Sequence, residues 1–414
     1  MKILSLLFIL YSSFSFASDV IEVELSSGET ISIKSYPADT EALYMYLPSE
    51  RGFGAGQIPT IQQLAFEGYD VWALELHESY MVPKFRGSID RFSVDDVVEV
   101  VEFAQKKGFK KLFFVTSGRG AKLALKVAYQ WQLKHPESQL LQGQIFHSPH
   151  LIDGRPELGD QAKYVDIAHT SNLPTYIILP QFGTKYFRAE EIANQLKQGG
   201  SAVFLHRLSG VNGGFHMRKL EDLNPKSIAA RDRLSDIYLQ AAQLMQTVSV
   251  PSLVKKQKQH ASASPQTLGE GVLQAYQGQQ NIPLKLTTYQ DQASGLADYK
   301  DRVILLNFWA SWCKPCIKEV PSLMRLQANY DTRDFQIITI NIGETKKEIA
   351  EFIKKVGLDL PILMDQDGQS VKDWRVYVYP SNFLLDRQGK IRYAYRGALE
   401  WDSQAVIETI NQLL

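Results

Sequence analysis

The chain holds two cysteines, and they stand two residues apart in Trp312-Cys313-Lys314-Pro315-Cys316. The apolar run Val303-Ile304-Leu305-Leu306-Asn307-Phe308-Trp309 precedes them and reads as a buried strand, and the residues from Cys316 onward read as a helix. Cys-x-x-Cys at a strand-to-helix junction suits dithiol–disulfide exchange. The first sulfur meets the free N–H groups and positive dipole end of the helix, which favour a thiolate. The second lies about one turn further in, within reach of a mixed disulfide formed on the first. A structural zinc site needs four ligands, and neither a second cysteine pair nor a well-spaced histidine pair is near. No metal and no cofactor are expected.

The elements that must hold this dithiol are legible around it. Val303 to Trp309 reads as the central strand, and Cys316 to about Asn329 as a helix that Pro321 is expected to kink. Phe335 to Ile342 reads as the next strand and Lys346 to Val356 as the next helix. Ser381 to Asp386 and Ile391 to Tyr395 flank the turn Arg387-Gln388-Gly389-Lys390 and predict a hairpin. A last helix is expected from about Asp402 to Leu414.

This C-terminal unit resembles the TlpA/ResA/DsbE-like family of exported thioredoxins. The matching residues are Asn307-Phe308-Trp309-Ala310-Ser311-Trp312-Cys313-Lys314-Pro315-Cys316, Glu319-Val320-Pro321-Ser322-Leu323, Tyr379 to Asp386 and Gly389-Lys390-Ile391. The resemblance implies a thioredoxin fold and a thiol–disulfide oxidoreductase, commonly a reductase serving cytochrome c maturation or other exported thiols. It implies electrons from a membrane thiol conductor of the DsbD/CcdA kind, and protein thiols or disulfides as substrates. Cys313 becomes the attacking thiolate and Cys316 the resolving thiol, the two forming the redox-active disulfide. Glu319 matches the family's carboxylate, which can move a proton to or from Cys316; its other reading is a surface carboxylate in the first helical turns. Pro380 is the expected cis-proline beside the dithiol. Tyr379 stands where the family usually has a smaller residue, facing the sulfurs. Trp312, Tyr379 and Pro380 are therefore the expected substrate-binding residues, and Trp309 is expected to pack. Peroxidase chemistry within the same superfamily needs a single cysteine in a Pro-x-x-x-Thr-x-x-Cys context, which the residues before Cys313 do not supply.

A second unit precedes it. Apolar runs at Ala42–Leu47, Val71–Leu74, Lys111–Val115, Gln144–His147, Thr175–Leu179 and Ala202–Leu205 alternate with helical patterns such as Val94 to Lys107 and Ala121 to Lys134. That alternation predicts an α/β unit with a parallel sheet and helices on both faces. The unit resembles the α/β-hydrolase fold, with Phe114-Val115-Thr116-Ser117-Gly118-Arg119-Gly120-Ala121 where that family has its Gly-x-Ser-x-Gly elbow. Here Gly118 takes the nucleophile position and Ser117 falls one residue early. Pro180-Gln181-Phe182-Gly183-Thr184 supplies no acid, although His216 falls where the family's histidine does. The expectation is a noncatalytic binding module with a vestigial site at Ser117, Gly118 and His216. A bifunctional serine hydrolase, esterase- or peptidase-like, with a redox accessory domain is the alternative.

The 414 residues suffice for two domains: 18–250 for the hydrolase-like unit and 282–414 for the thioredoxin-like unit, with a polar linker over 251–281 and a short helix expected near Leu273. Residues 1–17 read as a secretory signal: Lys2, an apolar run from Ile3 to Leu10, then Ser15-Phe16-Ala17 before the expected cleavage. The mature protein is thus expected in the periplasm, soluble, with no transmembrane segment. The balance of 45 basic against 45 acidic residues, with no long basic run, argues against nucleic acid as a partner.

Overall fold

A computed structural model describes residues 18–249 and 271–414. The expected signal, 1–17, and most of the expected linker lie outside them. The described residues build two eight-stranded sheets.

The first contains β1 (Asp19–Glu24), β2 (Thr30–Tyr36), β3 (Ala42–Tyr46), α1 (Ile58–Phe66), β4 (Asp70–Leu74), α2 (Val94–Lys106), β5 (Lys111–Ser117), α3 (Gly120–Lys134), β6 (Leu141–His147), β7 (Thr175–Phe182), α4 (Ala189–Gly199), β8 (Val203–Asn212) and α5 (Leu234–Met245). Its strand order is β1-β2-β4-β3-β5-β6-β7-β8. From β4 to β8 neighbouring strands run parallel, while β1 and β2 pair antiparallel at one edge. The central strands are buried on both faces, which is why they read as continuous apolar runs. Helices α2, α3 and α4 cover one face and α1 and α5 the other.

The second sheet is built by β9 (Gln274–Ala275), β10 (Lys285–Thr288), β11 (Ala293–Gly295), β12 (Val303–Trp309), α6 (Lys314–Ala328), β13 (Phe335–Ile342), α7 (Lys346–Val356), β14 (Ile362–Asp365), β15 (Ser381–Leu385), β16 (Ile391–Arg396) and α8 (Gln404–Asn411). Its order is β11-β10-β14-β13-β12-β15-β16-β9, with β12 parallel to β13 and antiparallel to β15. The expected hairpin is β15–β16. Helix α7 starts on a reciprocal cap, in which Thr345 accepts from the Glu348 N–H and Glu348 from the Thr345 N–H. It ends at Gly357 with φ 70°.

Two expectations change. Residues 271–281 are not linker: Gln274 and Ala275 pair with Ala394 and Tyr393, and Leu273 and Tyr276 bury against the second sheet. A strand thus replaces the helix expected near Leu273, because those two apolar side chains reach the core only when the segment lies along the sheet edge. Pro321 lies inside α6, which runs unbroken from Lys314 to Ala328.

The two sheets are joined tightly. Arg188, just before α4, donates to the carbonyls of Val371 (3.2 Å) and Val376 (3.1 Å) and lies 3.8 Å over the Tyr377 ring. Tyr377 Oη accepts from the Ala162 N–H, Arg375 donates to the Gly159 carbonyl, and Gln181 donates to the Gly343 carbonyl at 2.6 Å. Phe187 presses against Gly343 and Gly368, where a Cβ would lie 2.3 Å from the ring. With φ +67° and +70° these two positions also favour glycine by conformation.

Candidate active site

Strand β12 delivers Cys313 to the N-cap of α6, where its Sγ accepts the Cys316 N–H at 3.3 Å. Cys316 lies in the first turn, and the two sulfurs are joined as a disulfide with Cα atoms 5.2 Å apart. Both residues are buried, Cys313 with 6% exposure and Cys316 with 1%. In this oxidised form neither cysteine is exposed, and Cys313 is the less buried of the two.

The loop carrying Cys313 is held by a carboxylate that sequence reasoning missed. Glu344, buried after β13, accepts from the Ser311 N–H (2.7 Å), the Ser311 hydroxyl and Asn341 Nδ2 (2.7 Å). Burial pushes its pKa up. The signal was available in principle: Asn341 interrupts the apolar strand just before this acid.

Glu319 is not on the surface; it is 2% exposed. Asn307 Nδ2 donates to Oε1 at 2.7 Å and Trp401 Nε1 to Oε2 at 3.0 Å, and Asn307 also donates to Asn382 Oδ1. Burial raises its pKa to about 7, against the smaller opposing pull of the donors from Trp401, Asn307 and Leu399. Glu319 stands three residues after Cys316, on the same helical face. It therefore combines a place one helical turn from Cys316 with a proton affinity suited to exchange near neutral pH.

That raised pKa has a stability consequence with a definite sign. In the unfolded chain Glu319 titrates near 4.5, and in the fold near 7. Between these values the folded chain binds the extra proton, so the contribution is fully present below about 4.5 and is lost as pH rises to about 7. Glu319→Gln should remove this slope, worth roughly 3 kcal/mol at most. Denaturant unfolding of the oxidised protein at pH 5 and pH 8 measures it; an equal pH dependence in parent and variant contradicts the assignment.

Pro380 follows a cis peptide bond from Tyr379, immediately before β15. Trp312 is edge-on to Tyr379 at 5.7 Å, and both pack on the core cluster that holds Cys313 and Cys316. Trp312 also stacks on Phe182, at the end of β7 in the first unit (6.4 Å, 25° between planes). Phe182 is thus a neighbour of the redox site that sequence reasoning missed, because the contact depends on how the two units meet. Trp309 packs on Phe352 at 4.6 Å, as expected.

The residues of the expected vestigial site are not assembled for hydrolysis. Gly118 makes the turn between β5 and α3 with φ +55°. The Ser117 hydroxyl donates to Met217 Sδ at 3.5 Å, and neither ring nitrogen of the buried His216 has a hydrogen-bond partner among the described residues. Burial lowers the His216 pKa to about 3. Its ring stacks 4.0 Å from His147, whose Nε2 meets the Tyr238 hydroxyl at 2.6 Å. Glu50 closes the turn: it accepts the Arg119 N–H at 3.0 Å, and a Cβ on Gly118 would lie 2.8 Å from Glu50 Oε2. A carboxylate on that N–H would repel a developing oxyanion.

A disulfide at the start of the helix that follows the central strand of a mixed sheet, with a cis X–Pro bond leading into the neighbouring antiparallel strand, defines a dithiol oxidoreductase of the thioredoxin fold. Comparison with known proteins agrees. Residues 278–394 match the AhpC/TSA family. The chain is 32% identical over 127 residues to the thiol-disulfide oxidoreductase ResA of Geobacillus kaustophilus, covering 30% of this chain and 73% of that protein. It is 33% identical over 137 residues to the thioredoxin-like protein YneN of Bacillus subtilis, covering 32% and 79%. A Chlorobium tepidum structure described as a putative thiol:disulfide interchange protein DsbE is 26% identical, with 36% of this chain and 99% of that one covered and a TM-score of 0.31. The chain belongs, through its C-terminal unit, to the ResA-like thiol–disulfide oxidoreductases.

Proposed function

We propose that the protein is an exported reductase of protein disulfides, working through Cys313 and Cys316. The observation that carries this reading is the buried Glu319, titrating near 7 in the helical turn after Cys316. The Cys313 thiolate attacks a substrate disulfide, forming a mixed disulfide and expelling one substrate thiolate, which takes a proton. Glu319 then accepts the Cys316 proton as Cys316 attacks Cys313 Sγ. The second substrate thiolate leaves, the substrate has gained two electrons, and the chain holds the disulfide seen here. Trp312, Tyr379 and Pro380 line the approach, and Pro380, lacking an N–H, leaves neighbouring backbone groups for an extended peptide. A membrane thiol reductant of the DsbD/CcdA kind would return the dithiol state, and the signal-like residues 1–17 support a periplasmic location. Among the described residues no helix is long and apolar enough to cross a membrane. Service to cytochrome c maturation is one candidate task. The reductase reading is tested by the reduction potential of the dithiol, obtained by equilibration against thiol buffers.

The first unit, in this reading, is an α/β-hydrolase-like module without hydrolase activity. Its strand order and the Gly118 turn support the likeness, and the Glu50 carboxylate, the displaced Ser117 and the unpartnered His216 support the lack of turnover. A fluorophosphonate probe should leave the protein unlabelled. Stoichiometric labelling that disappears in Ser117→Ala would restore the bifunctional hydrolase.

A further inference from the structure

The carboxyl ends of adjacent parallel strands in the first unit deliver basic side chains to one place. Arg119 follows β5, His150 follows β6 and Lys185 follows β7. In open α/β sheets ligands sit beyond the carboxyl ends of the strands near the point where the strand order reverses, here between β3 and β5, and Arg119 follows β5 at that point. Lys185 is 7% exposed, and its ammonium has neither a hydrogen bond nor an ion pair among the described residues. The Lys185 nitrogen itself keeps contact with solvent, so its N–H donors are left to water or to a bound acceptor. Arg119 uses one side-chain donor on His150 Nε2, at 2.8 Å, so His150 accepts there as a neutral ring. Arg86 and Arg188 add positive charge around the same point. The acids in reach are each engaged elsewhere: Glu50 lies on the Arg119 backbone N–H, Asp90 pairs with Lys122 at 2.6 Å, and Glu191 is engaged by Arg188 at 2.6 Å. The cluster carries more positive charge than its carboxylates neutralise.

We propose that Lys185 and Arg119, with His150 beside them, form a binding site for a small oxyanion group, a carboxylate or a tetrahedral oxyanion such as sulfate or phosphate. The site is separate from the dithiol and does not depend on the redox reading. The bound group accepts from the Lys185 ammonium and the remaining Arg119 donors, displacing the water that otherwise serves them. The groups facing Lys185 are Arg188, Arg119, Arg86, Glu191 and His150. Burial, aided by the neighbouring arginines, lowers the Lys185 pKa to about 7. An anion that needs the ammonium form should therefore bind more weakly as pH rises above that value, by up to about tenfold per unit.

The test uses the full chain, oxidised, with sodium sulfate and sodium acetate titrated against chloride at constant ionic strength and read by calorimetry and thermal unfolding. Saturable binding of sulfate or of acetate is expected, with a rise in Tm. Preference between the two identifies the tetrahedral or the planar group. Lys185→Met should weaken that binding at least tenfold, yet unfold in chloride at the same or a higher temperature than the parent, because it removes an unpartnered buried cation. Arg119→Gln supplies the second variant if Lys185→Met does not fold, and it too should weaken binding. Absence of saturable binding by either anion up to tens of millimolar would mean that water alone serves these donors. Unchanged affinity in the variants would mean an adventitious ion only. Either result overturns the site.

Discussion

Replacing Cys316 with serine should reduce steady-state disulfide turnover by on the order of 10³-fold or more, while leaving Cys313 able to form one covalent adduct. Cys313 caps α6 and meets its N-terminal N–H groups, and Cys316 sits in the first turn at bonding distance from it. Without Cys316 nothing in the site can resolve the mixed disulfide, since the chain has no third cysteine. Mass spectrometry of the variant incubated with a disulfide substrate should show one substrate chain attached, released by dithiothreitol. Cys313→Ser should be equally inactive yet form no adduct through the first cysteine position. The reverse pattern, with adducts on Cys316 alone, would exchange the two roles.

Arg188→Ala should cost about 2–4 kcal/mol of stability, the scale of lost hydrogen bonds from a charged donor to buried carbonyls together with a lost cation–π contact. Its side chain is 3% exposed and makes three kinds of contact at once. Two charged donors serve the Val371 and Val376 carbonyls, the guanidinium lies over Tyr377, and Glu191 closes the pair. The variant leaves two buried carbonyls without that partner and loosens the joint that brings Phe182 onto Trp312. Denaturant unfolding should show either a lower midpoint or a separate transition for each unit. A loss below about 1 kcal/mol would show that the remaining joints suffice without it.

The C-terminal unit was legible because its chemistry is local. Strand, dithiol and helix follow one another from Val303 to Ala328, and the capping pattern of Thr345 and Glu348 marks the next helix directly. The edge hairpin of β1 and β2 was overlooked although Ile31 and Ile33 alternate with less buried residues, because short antiparallel edges carry a weak period-two signal. The burial of Glu319 could not be read from its place in the helix. It depends on Asn307 and Trp401, respectively 12 residues before it and 82 after it. Asn307, a polar residue in an otherwise apolar strand, was the one local hint. The contacts of Phe182, Arg188 and Phe187 are further beyond reach, since they depend on the mutual placement of two sheets. The Gly118 departure, by contrast, was visible in the sequence, and only the Glu50 carboxylate behind it was not.

The most direct test of the central claim is the equilibrium reduction potential of the Cys313–Cys316 disulfide. Lys314 and the helix N-terminus favour the thiolate and draw the potential upward, whereas a reductase must still pass electrons to its substrates. Equilibration against glutathione or dithiothreitol buffers, with alkylation and mass spectrometry as the readout, should give a two-electron potential below about −200 mV. A value near −120 mV, that of a strong disulfide donor such as DsbA, would contradict the reductase account and reassign the protein to disulfide donation.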